Sequence, residues 1–125
     1  MDISLKRIIL FGKEIELLKK FYQENFNCEL VEEIKNEWVV VKAGLAEIAF
    51  HKIGEEYWDN SKPFKADSNT KLVFETKTDL RVFREKLLLK GILMRDIKSL
   101  EPFHTLSCDG EDIEGNVFQL VQKLV

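Results

Sequence analysis

Cysteine and proline are scarce: the chain has two of each in 125 residues. Cys28 and Cys108 form no metal-type pair and are too few for a disulfide framework, which points away from small secreted scaffolds. Neither sign of charge dominates. Nineteen Lys and Arg stand against 22 Asp and Glu, a net charge of -3, so there is no bulk basic footprint for nucleic acid. No apolar run approaches the ~18–20 residues that cross a bilayer, so no membrane partner is expected. The start, Met1-Asp2-Ile3-Ser4-Leu5-Lys6, has no charged-then-apolar leader pattern. These absences leave a cytoplasmic protein as the expectation. What is present suits a folded domain: 45% hydrophobic residues, with nine Phe, two Trp and two Tyr to bury. The length fits one domain, residues 1–125.

Apolar spacing supplies the elements. The β-branched-rich run Leu5 to Phe11 predicts a strand, broken by Gly12. From Glu14 to about Asn25, Ile15, Leu18 and Tyr22 recur at helical spacing, with Leu17 and Phe21 beside them. Asn27 then suits the left-handed residue that ends helices. Three antiparallel strands follow, at 29–34, 38–42 and 46–51, separated by turns at 35–37 and 43–44. Residues 54–70, rich in Asn, Ser, Asp and Pro63, read as a linker, though Tyr57, Trp58 and Phe64 inside it are apt to staple it to the core or roof a pocket.

The order then repeats. Residues 71–76 predict a strand, Thr78 a helix cap, Asp79 the first helical turn, and Leu80, Phe83 and Leu87 the apolar stripe before Gly91. Shorter strands are expected at 93–97, 104–108 and 117–121, with turns at 99–102 and 109–116. The halves superpose: Arg7 falls on Lys71 and Asn27 on Gly91, each 64 residues apart. Ile15, Leu18 and Tyr22 fall on Leu80, Phe83 and Leu87, each 65 apart. A duplicated βαβββ module results, module one at about 1–53 and module two at about 71–125.

Three pieces of this pattern carry a resemblance. They are Phe21-Tyr22 followed by Phe26-Asn27-Cys28, the helix end Leu89-Lys90-Gly91-Ile92, and Asp112-Ile113-Glu114-Gly115-Asn116-Val117-Phe118-Gln119-Leu120. Together they resemble the vicinal oxygen chelate superfamily, which holds glyoxalase I, the bleomycin-resistance proteins and the extradiol dioxygenases. The third piece is similar to the family's Asp-Pro-Asp-Gly-Asn-x-x-Glu-Leu ending, with Ile113 in place of proline. The resemblance implies an α+β fold: two βαβββ modules in tandem forming a curved-sheet cup, with helices on the convex side. It also implies a divalent metal in the enzymes, held by one residue from the first and last strand of each module. Those positions match Arg7, Ala49, Lys71 and Gln119 here. Two carry cations, Ala49 has no donor, and only Gln119 has a lone pair to give. The expectation is therefore no metal and no other cofactor. The best alternative metal set is His51 with Glu47, Glu75 and Gln119.

Strand alternation predicts what the cup would show. The first strand offers Leu5, Arg7, Ile9 and Phe11; the fourth Glu47, Ala49 and His51; the fifth Lys71, Val73 and Glu75; the last Val117, Gln119 and Val121. The opposite faces carry Ile8, Leu10, Ile48, Phe50, Leu72, Phe74, Phe118 and Leu120, and should pack on the helices. Either Arg7 and Lys71 form pairs with glutamates in the former metal space, or they present cations to an anionic or carbonyl-bearing ligand. Trp38, Trp58 and Phe103-His104 are candidate stacking surfaces. The candidate ligand-binding residues are Arg7, Phe11, Trp38, Glu47, His51, Lys71, Glu75 and Gln119, with no catalytic residue assignable. The function expected is metal-free small-molecule binding, by sequestration or sensing, in a homodimer. The alternative is a metal-dependent or cofactor-free lyase, isomerase or dioxygenase of the same superfamily.

Overall fold

The computed structural model describes residues 2–124 and divides between Ala66 and Asp67 into two units, each a βαβββ run. The first contains β1 (Arg7–Gly12), α1 (Ile15–Phe26), β2 (Glu29–Ile34), β3 (Trp38–Ala43) and β4 (Ala46–Lys52). Its sheet runs β1-β4-β3-β2, with β1 parallel to β4 and the other pairs antiparallel. The second contains β5 (Lys71–Glu75), α2 (Leu80–Leu89), β6 (Lys98–Leu100), β7 (Thr105–Glu111) and β8 (Val117–Lys123), in the matching order β5-β8-β7-β6. The fold class is α+β.

Each helix buries its apolar stripe on its own sheet. Ile15, Leu18, Phe21 and Tyr22 are buried on α1, and Tyr22 stacks on Phe50 of β4 with ring centroids 5.2 Å apart. Asn27 ends α1 at φ 53°, and its backbone N–H bonds the Tyr22 carbonyl. On α2 the cap is Asp79, whose side chain accepts from the Arg81 N–H, and not the expected Thr78. Gln122 Oε1 satisfies the Leu80 N–H at 2.8 Å, so β8 helps to hold the start of α2. Helix-facing Leu10, Ile48, Phe50, Leu72, Phe118 and Leu120 are buried as expected, but Phe74 is only half-buried and Ile8 is 44% exposed. The reason is placement: α1 packs on β3 and β4 and covers the edge strand less.

Other boundaries move. β1 starts at Arg7, because Ile3 and Leu5 find no strand partner and stand exposed. Residues 93–97 do not form the sixth strand. Met94 makes an isolated bridge to Gly110, and the strand lies at Lys98–Leu100, where it pairs with Thr105–Ser107. β7 runs on to Glu111 through Asp109-Gly110, a dipeptide that reads as a turn. Gly110 serves packing instead. It pairs with Phe118, and a Cβ there would lie 2.5 Å from both the Phe118 ring and Met94 Sδ. The linker holds a short 3₁₀ turn, Glu55–Tyr57.

The ending that carried the resemblance is a closed polar turn. Asp112 Oδ1 accepts from the backbone N–H groups of Glu114 (2.9 Å) and Asn116 (3.0 Å), and Asp112 Oδ2 accepts from Asn116 Nδ2 (2.9 Å). Gly115 supplies φ +88°. The turn forms without proline because the Asp112 carboxylate fixes it.

Gly110→Ala should cost about 1–3 kcal/mol, because the ring above it has no room to retreat. Leu45→Ala, at a position 99% exposed, should stay within about 0.5 kcal/mol. Urea unfolding monitored by circular dichroism measures both.

Candidate functional site

On the first unit's sheet, register decides which side chains meet. Arg7 pairs with Glu47, Phe11 with His51, and His51 with Trp38, so these five share the face away from α1. Two groups result. At one end Arg7 binds two carboxylates: its Nη2 lies 2.9 Å from Glu47 Oε1, its Nε 3.1 Å from the same oxygen, and its Nη1 2.9 Å from Glu32 Oε1. Glu32 belongs to β2, so Arg7 reaches past β4 and β3. Ala49 and Val40 lie between, pair with each other, and have no exposed surface. Desolvation would lower the Arg7 pKa, but the bonds to Glu47 and Glu32 outweigh it and raise it. At the other end His51 lies 5.8 Å from Phe11 and 5.6 Å from Trp38, centroid to centroid. Phe11 and Ile34 are 59% and 63% exposed here, giving an open aromatic surface.

In the second unit Lys71 Nζ lies 2.9 Å from Asp109 Oδ2, and Gln119 Nε2 donates to Asp109 Oδ1 at 3.1 Å. The expected glutamate partner of Lys71 is thus replaced by an aspartate. Asp109 was hidden from sequence reasoning because its dipeptide reads as a turn. Burial alone would raise the Asp109 pKa, but hydrogen bonds from Lys71 and Gln119 outweigh it and hold it below the ordinary carboxylate value. Glu75 sits at the far end of β5, four residues from Lys71, and lies 4.0 Å from the Lys123 ammonium. Glu32, the other missed partner, lies in a β2 segment with a register shift between Leu30 and Glu32, which simple alternation does not foresee.

The remaining candidates stand apart from these groups. Phe103 is 75% exposed, and His104 has φ 50° before β7. Trp58 lies in the linker, with its indole N–H on the Ile53 carbonyl at 3.3 Å. Both cysteines are free and buried, and burial raises the Cys28 thiol to about 11 and pushes Cys108 upward, so neither is an activated nucleophile.

Solved structures share this architecture. Lactoylglutathione lyase from Agrobacterium tumefaciens aligns at TM-score 0.73 with 16% identity, over 95% of this chain and 92% of that one. FosX from Listeria monocytogenes, in complex with Mn(II) and 1S,2S-dihydroxypropylphosphonic acid, aligns at 0.75 with 15% identity, over 100% and 94%. A protein from the mobile metagenome of V. Pseudocholerae aligns at 0.73 with 20% identity, over 100% and 98%. The fold is that of the vicinal oxygen chelate superfamily. No family model and no curated protein matches the chain.

Within a vicinal oxygen chelate fold, the donor chemistry at the positions matched to the metal ligands does not fit a divalent ion. Arg7 and Lys71 are cations bonded to carboxylates, Ala49 has no donor, and the Gln119 amide donates to Asp109. The alternative set does not converge either. Glu47 and His51 are four residues apart on one strand, roughly 13 Å, and Glu47 is bonded to Arg7. Among the described residues no group of three or more His, Cys, Asp or Glu is placed to hold an ion.

A depressed Asp109 pKa stabilises the fold above the ordinary carboxylate value, and that stability is lost as pH falls through the folded pKa. Asp109→Asn should therefore be less stable than the parent at pH 7, by under about 1 kcal/mol for so open a pair. The gap should close in acid. Paired urea titrations across pH measure it.

Proposed function

We propose that this protein is a metal-independent small-molecule-binding protein of the glyoxalase and bleomycin-resistance type, acting by sequestration or sensing. One observation carries the reading. The positions matched to metal ligands hold cations already engaged by carboxylates, Arg7 with Glu47 and Glu32, and Lys71 with Asp109. Chemistry that needs a Lewis acid lacks its donors, whereas a binding surface persists beside them.

In this reading Phe11, Trp38 and His51 give a planar ligand faces to stack on. Arg7 and Glu47 sit on the same sheet face and set its polarity. In the second unit, Lys71, Gln119 and Glu75 occupy the corresponding sheet face. The ligand is an organic molecule with an aromatic or other planar part. The exposed Ile9, Phe11 and Ile34 on this face also favour a homodimer that covers part of it. Two buried free thiols fit a cytoplasmic setting. No described helix is long and apolar enough to cross a membrane.

A thermal-shift panel of planar compounds, run with and without excess EDTA, tests the proposal, with sedimentation velocity reading the dimer. Hits should keep their shift in EDTA and lose at least about tenfold in affinity in Trp38→Ala, the scale of losing one aromatic stacking surface. Hits that vanish in EDTA and return with added metal would overturn it.

A further inference from the structure

The sheet face of the second unit holds two hydrogen-bonding groups that its ion pair leaves unused. The first is the Ser107 hydroxyl. Ser107 is buried, at 4% exposure, on the interior strand β7. It pairs with Val121 of β8, as Asp109 pairs with Gln119. Alternation therefore puts Ser107 on the side of Asp109, Gln119 and Lys71, away from α2. The other buried polar residues, Asp112, Glu114 and Asn116, belong to the closed turn before β8. Among the described residues nothing hydrogen-bonds the Ser107 hydroxyl, and no side-chain oxygen is both sealed from solvent and unpartnered. The Ser107 oxygen thus keeps a small opening onto the sheet face.

The second group is the Gln119 carbonyl. Gln119 Nε2 donates to Asp109 Oδ1 at 3.1 Å, and Lys71 holds the other Asp109 oxygen at 2.9 Å. With its nitrogen turned to Asp109, the Gln119 amide presents Oε1 to the other side. Oε1 has no partner among the described residues. Ser107 and Gln119 are diagonal neighbours on adjacent antiparallel strands, roughly 7–8 Å apart along the backbone. Val121 lies beside Ser107, and Val73, 58% exposed, lies beside Gln119. A carboxylate suits this pair poorly, because its oxygens would face the Gln119 lone pairs. A neutral group with a donor next to an acceptor satisfies both.

We propose that this face recognises a cis-amide group, as in a lactam ring. The ligand N–H donates to Gln119 Oε1, its carbonyl accepts from the Ser107 hydroxyl, and its apolar ring lies on Val73 and Val121. The proposal rests on the metal-independent reading, because an ion at Gln119 would take the same lone pair.

δ-Valerolactam and its N-methyl derivative test this on the full chain in EDTA. The readout is the Gln119 side-chain amide and the Val121 backbone amide, followed by NMR. The lactam should shift both saturably. N-methylation, which removes the donor, should weaken binding about fivefold, the scale of one hydrogen bond. Ser107→Ala should lose a similar factor. The comparison of the two lactams uses the parent chain, so it decides the matter even where the variant fails to fold. Equal binding of the two lactams, a shift that rises linearly without saturation, or full affinity in Ser107→Ala would overturn the proposal. Lactam binding that is absent in EDTA and appears with added metal would overturn the metal-independent reading with it.

Discussion

Parallel pairing of the first and last strand in each unit demands a crossover, and the helix that supplies it must bury its apolar stripe on the sheet it has just left. That constraint organises the molecule twice. β1 and β4, far apart in sequence, lie side by side because α1 carries the chain over and then packs on β3 and β4 through Tyr22 against Phe50. β5 and β8 repeat the arrangement under α2. The registers are equivalent: Arg7 lies beside Glu47 and Ile9 beside Ala49, as Lys71 lies beside Val117 and Val73 beside Gln119. The helix-facing side is thereby committed to the core, and the other side is free to carry chemistry.

What that free side carries follows from pairing of charges. Arg7 is largely enclosed, with 18% of its side chain exposed and 16% of that of Glu47. Charges so placed must be paired, and Glu47 and Glu32 supply the partners. The smallness of Ala49 belongs to the same design, since a larger side chain there would stand between Arg7 and Glu32. The second unit repeats the device more openly, with Lys71, Asp109 and Gln119. On the proposed reading, the positions matched to metal ligands hold cations paired with carboxylates.

Much of this was legible in the sequence because the periodicities were strong. The helix stripes, the duplicated order and the Asp112–Leu120 ending led to the fold, and alternation put Arg7, Glu47, Phe11 and His51 on one face. The misplacements share a physical cause. Strand boundaries in the second unit depend on partners, and Asp109-Gly110 imitates a turn while the Phe118 ring demands a strand glycine. Reading Asp109 as turn then hid the partner of Lys71. Likewise the β2 bulge concealed Glu32 from alternation. Lys13 and Lys52, whose ammonium groups lie 4.7 and 5.5 Å from the Trp58 ring centroid, come from separate stretches of chain, and no spacing rule gathers them before folding.

The central claim is that paired cations have replaced metal ligands on this fold. Metal analysis of protein purified without chelator, repeated after incubation with nickel, zinc, manganese and ferrous iron and then buffer exchange, tests it directly. Only trace metal should remain under every condition. About one tightly held ion per chain, the loading of a filled catalytic site, would contradict the account and return the sheet face to metal chemistry.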